Sequence, residues 1–437
     1  MGDALADFFA FDALGTTFRR EVVAGVTTFV TMSYIIAVNP AILKAAGIPE
    51  GPSMVATILT AVFGSLIMGL YANRPFAIAP YMGENAFVAY TVVRVLGYRW
   101  ETALGAVFVA GVMFAALTVA RVRQWMVEAI PPSLRYSFAV GIGLFLAFIG
   151  LNESGIVALG VPGVPVRIGA ITTAPVALAV FGFVLISILL LWRVPGAILL
   201  GIIATSVAAF ATGVARAPAA ILGMPPSPAP ILLKLDLSAV LSVGFFGVLL
   251  TIFVMALIDT MGTLVGVSER AGLLDAEGNL PGIERPMMAD ALATTFAALV
   301  GTTTAGAYVE SAAGISVGGR SGLTAVVAAL LFALSLFFAP LVTAIPPQAF
   351  GPALIVVGSL MMAPIVRLNF DDPAELIPAF AVITLMSFTY NIGVGITAGF
   401  VLHPLFKLAC GRAREVRPGL WALFALSLCF FIFYPYR

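Results

Sequence analysis

The sequence predicts an all-α polytopic membrane protein, and three observations carry that reading. Of its 437 residues, 61% are hydrophobic and only 10% charged, whereas a soluble domain uses roughly 25% charged residues to build a polar skin. The apolar residues fall into runs of about 20, the helical length that crosses a hydrocarbon layer of about 30 Å. Lysine and arginine then collect on alternate sides of those runs. Lipid must therefore solvate much of the surface.

In order, the runs of the first half lie at 22–43, 54–71, 76–95, 103–120, 134–151, 174–191 and 194–212. Beyond a proline-rich stretch, Pro218 to Pro230, come 239–267, 287–302, 303–318, 322–345, 350–366, 374–390 and 392–409. That makes seven spans and seven again. A last apolar segment, Leu420 to Tyr434, is short and ends in aromatics, and reads as interfacial. With the N-terminus cytoplasmic, fifteen Lys and Arg fall on the inner side and six on the outer, the asymmetry of a correctly counted multi-pass cell-membrane protein. Asp3, Asp7 and Asp12 precede the first run, the wrong charge for a cleavable signal, so the N-terminus is expected to stay.

A net charge of +1 gives no basic face for nucleic acid. One histidine and two cysteines, Cys410 and Cys429, provide neither a metal cluster nor a disulfide framework, so no cofactor is expected. An intramembrane enzyme would need a metal constellation or a Ser/His pair, and neither is visible.

Two runs are not plain helices. The third opens Arg74-Pro75-Phe76-Ala77-Ile78-Ala79-Pro80-Tyr81-Met82-Gly83-Glu84, where Pro80 and the residue before it resist helix. The tenth opens Gly301-Thr302-Thr303-Thr304-Ala305-Gly306-Ala307-Tyr308-Val309-Glu310. Each should start extended and then turn helical. Superposing Glu84 on Glu310 pairs Asn85 with Ser311 and Ala86 with Ala312 at an offset of 226, close to half the chain. Because seven is odd, a duplicated half must enter from the opposite side. The expectation is an inverted repeat whose broken helices meet near the midplane.

Most acids keep to loops; Glu84, Asp259 and Glu310 do not. The bland reading makes them polar glue between helices or caps of half-helices. The functional reading starts from their cost, about 2.5–3.5 kcal/mol at mid-membrane, which marks an intramembrane acid as a site candidate. Desolvation favours the neutral acid, so each can hold or release a proton. Half-helix N-termini offer N–H donors beside these acceptors, which suits a neutral heterocycle better than a large anion. Residue arithmetic stops at a small polar substrate with proton coupling. Aromatic stripes read as lipid-facing packing, His403 as structural, Asp290 as a helix-end residue, and Asp371, Asp372, Pro373 and Glu375 as a loop entering a helix.

These residues resemble the nucleobase/cation symporters, in particular the AzgA-like purine permease branch. The likeness is carried by Gly15-Thr16-Thr17-Phe18-Arg19-Arg20-Glu21, Met82-Gly83-Glu84-Asn85-Ala86-Phe87, Asp259-Thr260-Met261-Gly262-Thr263-Leu264 and Tyr308-Val309-Glu310-Ser311-Ala312-Ala313-Gly314, and it extends over nearly the whole chain. It implies short strands before the half-helices of spans 3 and 10, and a core domain (21–120 and 239–345) that moves like an elevator against a gate domain (133–212 and 350–410). Residues 1–20 form a cytoplasmic or interfacial N-terminus and 411–437 a tail with an apolar interfacial segment. The resemblance implies import of adenine, guanine or hypoxanthine by proton symport, with lipid around the chain and a homodimer as the expected assembly. Asp259, Glu310, Asn85, Tyr308, Val309, Thr263 and Ser311 would bind the base, and Asp259, Glu310 or Glu84 would carry the proton. Glu84, and Ala256 in place of a second acid, depart from the family pattern and leave the base open. Uracil, xanthine or an inorganic anion is the alternative cargo.

Overall fold

The computed structural model describes residues 2–120, 129–161, 164–240, 245–273 and 280–433. Arg121 and Arg123 of the inner-side count, Arg437, and the Tyr434 end of the last segment lie outside them. Among the described residues, nine helices are long and apolar enough to cross a membrane, and Ala197–Ala211, Pro373–Phe388 and Pro418–Ile432 are shorter apolar helices. The chain is a mostly helical multi-pass membrane protein. The last apolar segment forms one continuous helix, Pro418–Phe433.

The first span is broken. Phe18–Met32 starts at Thr17, whose side chain accepts from Arg20 N–H, and ends before Ser33; Ile35–Lys44 continues it. Short-range bonds from Ile36 N–H to Ser33 O and from Ala37 N–H to Tyr34 O tighten the junction. This break was not legible in the hydropathy, because both pieces are apolar.

Four short strands interrupt the helices: Ile78–Pro80 (β1), Val157–Val161 (β2), Val164–Ile168 (β3) and Ala305–Ala307 (β4). β2 and β3 form a hairpin that the sequence did not announce. β1 and β4 pair antiparallel, Ile78 opposite Ala307, Ala79 opposite Gly306 and Pro80 opposite Ala305. Both expected extended starts are therefore strands, and they are strands of one sheet. The half-helices Met82–Ala86 and Ser311–Ser316 follow them, the first running on as a π-helix, Phe87–Val95.

The strand pair has a local two-fold symmetry that lies one residue away from the expected superposition of Glu84 on Glu310. It relates Ile78 to Ala305, an offset of 227, and so Tyr81 to Tyr308. Tyr81 N–H bonds Thr304 O at 2.9 Å and Tyr308 N–H bonds Ala77 O at 3.0 Å, mirror uses of the two chains. Glu84 falls on Ser311, not on Glu310. Backbone hydrogen bonding sets the register, and the two tyrosines coincide in it.

Helix contacts are close where glycines face each other. Pro132–Glu153 packs on Pro347–Met361 through two glycine pairs, and a Cβ at Gly143 or Gly150 would stand 2.6 Å from the carbonyl oxygen of Gly358 or Gly351. No side chain fits there. Asp290, expected at a helix end, instead lies in the second turn of Glu284–Val300 and is 2% exposed; the helix begins earlier than the apolar run because Glu284 and Arg285 join its first turn.

His403, read from the sequence as structural, lies within a charge cluster. Glu375 accepts from Ser133 Oγ, His403 Nε2 (3.1 Å) and Lys407 Nζ (2.5 Å), and Lys407, 2% exposed, also reaches Glu415 at 2.9 Å. Asp372 caps Pro373–Phe388 through Ala374 N–H and pairs with Arg412 at 2.5 Å. The Arg412 hydrogen bond holds the Asp372 carboxyl below its usual range, and Arg412 followed by Lys407 does the same for Glu415.

Two predictions follow from these contacts. Gly143→Leu or Gly150→Leu should overpack the crossing and cost about 1–3 kcal/mol, read as a lower melting temperature of the solubilised protein. Carboxylates held low stabilise the fold fully above their ordinary value, about 4, and lose that contribution as pH falls through the lowered one. The melting temperature should therefore drop on acidification below pH 4, with a shallower drop in Arg412→Gln.

Candidate functional site

The strand pair assembles the site. Three-residue strands leave outer backbone groups unpaired, which hydrocarbon does not tolerate. Ser65 solves this for β1, accepting from Ile78 N–H at 2.9 Å and donating to Ile78 O at 3.3 Å. Thr294 does the same for Ala305 in β4, accepting at 3.2 Å and donating at 2.8 Å. The two positions so served, Ile78 and Ala305, are related by the local two-fold of the strand pair.

Tyr81 and Tyr308 leave the two strands and stack with ring centroids 6.2 Å apart and planes 8° from parallel. The Tyr308 hydroxyl donates to the Pro80 carbonyl, and the Ser311 hydroxyl oxygen accepts from Ala77 N–H at 3.0 Å. These two proposed base contacts thus also serve the strand junction. Tyr308 lies within electrostatic reach of Glu310, Glu84 and Asp259. The three intramembrane acids, far apart in sequence, share one neighbourhood.

Glu84 sits in the first turn of Met82–Ala86, fully buried, and neither carboxyl oxygen has a hydrogen-bond donor among the described residues. The Asp259 carboxyl, within Phe246–Ala271, is close enough to interact with it. Two carboxylates offer only acceptors. A proton or a donor-bearing ligand is what can join them.

Glu310 directly precedes Ser311–Ser316 but its side chain makes no cap bond there. Tyr34, from the break in the first span, donates instead to Glu310 Oε1 at 2.7 Å. Beside these acids the structure is uncovered: Val309 is 54% exposed, Asp259 and Thr263 are half-buried, and Gly262 and Gly266 face open space. Asn85 lies deeper. Its Nδ2 donates to Asn39 Oδ1 at 2.5 Å, and Asn39 Nδ2 donates to Thr57 Oγ1 at 2.7 Å and Thr302 Oγ1 at 3.0 Å.

Sequence reasoning missed Tyr34 and Asn39, both from the first span. Asn39 carried a signal, a carboxamide beside Pro40 inside an apolar run. Tyr34 carried none, because tyrosine is an ordinary membrane residue until a break aims its hydroxyl inward.

Comparison with known proteins now decides the family. A family model described as "Permease family" matches residues 19–401. The chain belongs to that family. It is similar to the adenine permease AdeP of Escherichia coli (strain K12), 41% identical over 92% of this chain and 90% of the relative. It is also similar to the guanine/hypoxanthine permease PbuG of Bacillus subtilis (strain 168), 40% identical over 98% of this chain and 99% of the relative. These likenesses agree with the AzgA-like purine permease branch, and they make the protein a transporter, not an enzyme. Among solved structures, the transmembrane domain of a cyanobacterium bicarbonate transporter, BicA, superposes with a TM-score of 0.65 at 17% identity, covering 87% of this chain and 96% of that one. That likeness concerns the fold alone.

The hydroxyl brackets make a direct prediction for this family member. Thr294→Val leaves Ala305 N–H and C=O without a side-chain partner. It should cost about 1–3 kcal/mol, seen as a lowered melting temperature.

Proposed function

We propose that the protein imports a purine nucleobase together with a proton across the cell membrane, by alternating access of one central site. The observation that carries this reading is the Glu84–Asp259 pair, two interacting carboxyl groups of which Glu84 has no hydrogen-bond donor among the described residues. Burial favours at least one neutral acid. A purine presents N–H donors to such acceptors and ring nitrogens to the half-helix N-termini. Relatives whose names read adenine permease and guanine/hypoxanthine permease support the substrate class.

Asp259 and Glu310 of the second half hold the base, Asn85 of the first half orients it, Val309, Tyr308, Thr263 and Ser311 surround it, and a carboxyl among Asp259, Glu310 and Glu84 takes the proton, the one coupling species needed. Fourteen crossings in two inverted sets of seven accommodate the nine long helices, the short helices Ala197–Ala211 and Pro373–Phe388, Glu284–Val300 and the two strand-led segments. The N-terminus is then cytoplasmic, and the core (21–120, 239–345) slides as an elevator along the gate (133–212, 350–410). The glycine-packed Pro132–Glu153 and Pro347–Met361 pair suits a rigid gate.

Liposomes containing the purified protein should take up labelled adenine, guanine or hypoxanthine faster with an inward proton gradient than without one. Equal rates would remove the proton from the reading, and full uptake by both Asp259→Ala and Glu310→Ala would remove the site. Competition by uracil, xanthine and bicarbonate reports the substrate class. Tyr34→Phe removes one hydrogen bond to a charged-type acceptor, worth about 1.5 kcal/mol, and should weaken base binding roughly tenfold.

A further inference from the structure

The buried polar chain behind Asn85 has a direction. A carboxamide has two ends of nearly equal shape and opposite hydrogen-bonding sense, so the end that faces a ligand is decided by what holds the other. The Thr57 hydroxyl hydrogen is spent on Ser53 O at 2.7 Å, which leaves its oxygen as an acceptor. Asn39 Nδ2 donates to that oxygen at 2.7 Å and to Thr302 Oγ1 at 3.0 Å, using both amide hydrogens. Asn39 must then turn Oδ1 toward Asn85, which meets it with Nδ2 at 2.5 Å. What remains is Asn85 Oδ1, buried and without a partner among the described residues. A buried carbonyl without a donor is costly, and the cost is removed when a donor arrives.

We propose that Asn39, anchored by Thr57 and Thr302, is a positioning residue that fixes the Asn85 amide with its carbonyl end free, so that the site selects a purine edge bearing an N–H donor. This rests on the reading of Asn85 as a base contact. The relay links both halves of the chain, since Asn39, Thr57 and Asn85 belong to the first and Thr302 to the second. It also gives the site a uniform sense, because Glu84 and Asp259 are acceptors when ionised. Adenine carries its amino group where hypoxanthine carries an oxo group, and the adjacent ring nitrogen reverses as well. Inverting the Asn85 amide therefore exchanges which base fits.

The test is the ratio of half-saturation constants for adenine and hypoxanthine uptake in proteoliposomes, together with maximal rates and melting temperatures. The wild-type protein should discriminate between the two. In the double variant Thr57→Val/Thr302→Val the Asn39 amide loses its anchor, and the ratio should move toward unity by about tenfold, the discrimination of roughly one hydrogen bond, while maximal rates hold. Asn39→Asp keeps an acceptor toward Asn85 Nδ2 and cannot donate, so it should keep the wild-type ratio. Asn39→Leu should behave as the double variant. A wild-type ratio within about twofold of unity, or a ratio unmoved in the folded double variant, overturns the proposal. The underlying reading fails separately: Asn85→Ala that takes up both bases with wild-type constants means Asn85 is no contact. Weakened uptake in Asn85→Ala with an unmoved ratio in the double variant leaves the contact and removes the relay.

Discussion

The structure depends on pairing β1 with β4. An extended backbone inside hydrocarbon exposes N–H and C=O groups that lipid cannot satisfy, so neither Ile78–Pro80 nor Ala305–Ala307 can exist without the other. The pairing joins segments from the two halves of the chain. Ser65 and Thr294 close the outer sides of Ile78 and Ala305 with their hydroxyls. Helices with an unbroken backbone would need none of this and would offer no free half-helix ends to a ligand.

Those strands bring together what the chain holds apart. Tyr81 and Tyr308 stack because the register places them at equivalent exits, and the acids that follow each strand, together with Asp259, gather around Tyr308. Two of the acids then differ in their neighbours. Glu310 has the Tyr34 hydroxyl, whereas Glu84 has another carboxyl nearby and no donor among the described residues. One fold thus gives carboxyl groups of the same chemistry unequal surroundings.

Elsewhere the molecule is built for close contact. Opposed glycines let the backbones of Pro132–Glu153 and Pro347–Met361 approach, the mode available to helices that gain nothing from hiding apolar surface in lipid. At one end of that unit Glu375, His403, Lys407, Asp372, Arg412 and Glu415 form a charge cluster. A buried lysine there is tolerated because carboxylates surround it.

The sequence by itself determined the membrane class, the two broken spans and the three misplaced acids, because each follows from local composition: hydropathy, proline before a half-helix, and charge where lipid should forbid it. Family likeness added the site residues around those acids. Tertiary structure decided the rest. The antiparallel register of Ile78–Pro80 on Ala305–Ala307, which places Tyr81 and Tyr308 at matching strand exits, came from backbone hydrogen bonding between distant segments. The interior place of Asp290 came from where its helix starts. Tyr34 and Asn39 became part of the site only when a break in the first span aimed them at Glu310 and Asn85. Local chemistry is written residue by residue, but which donor meets which acceptor depends on the folding of distant segments onto one another.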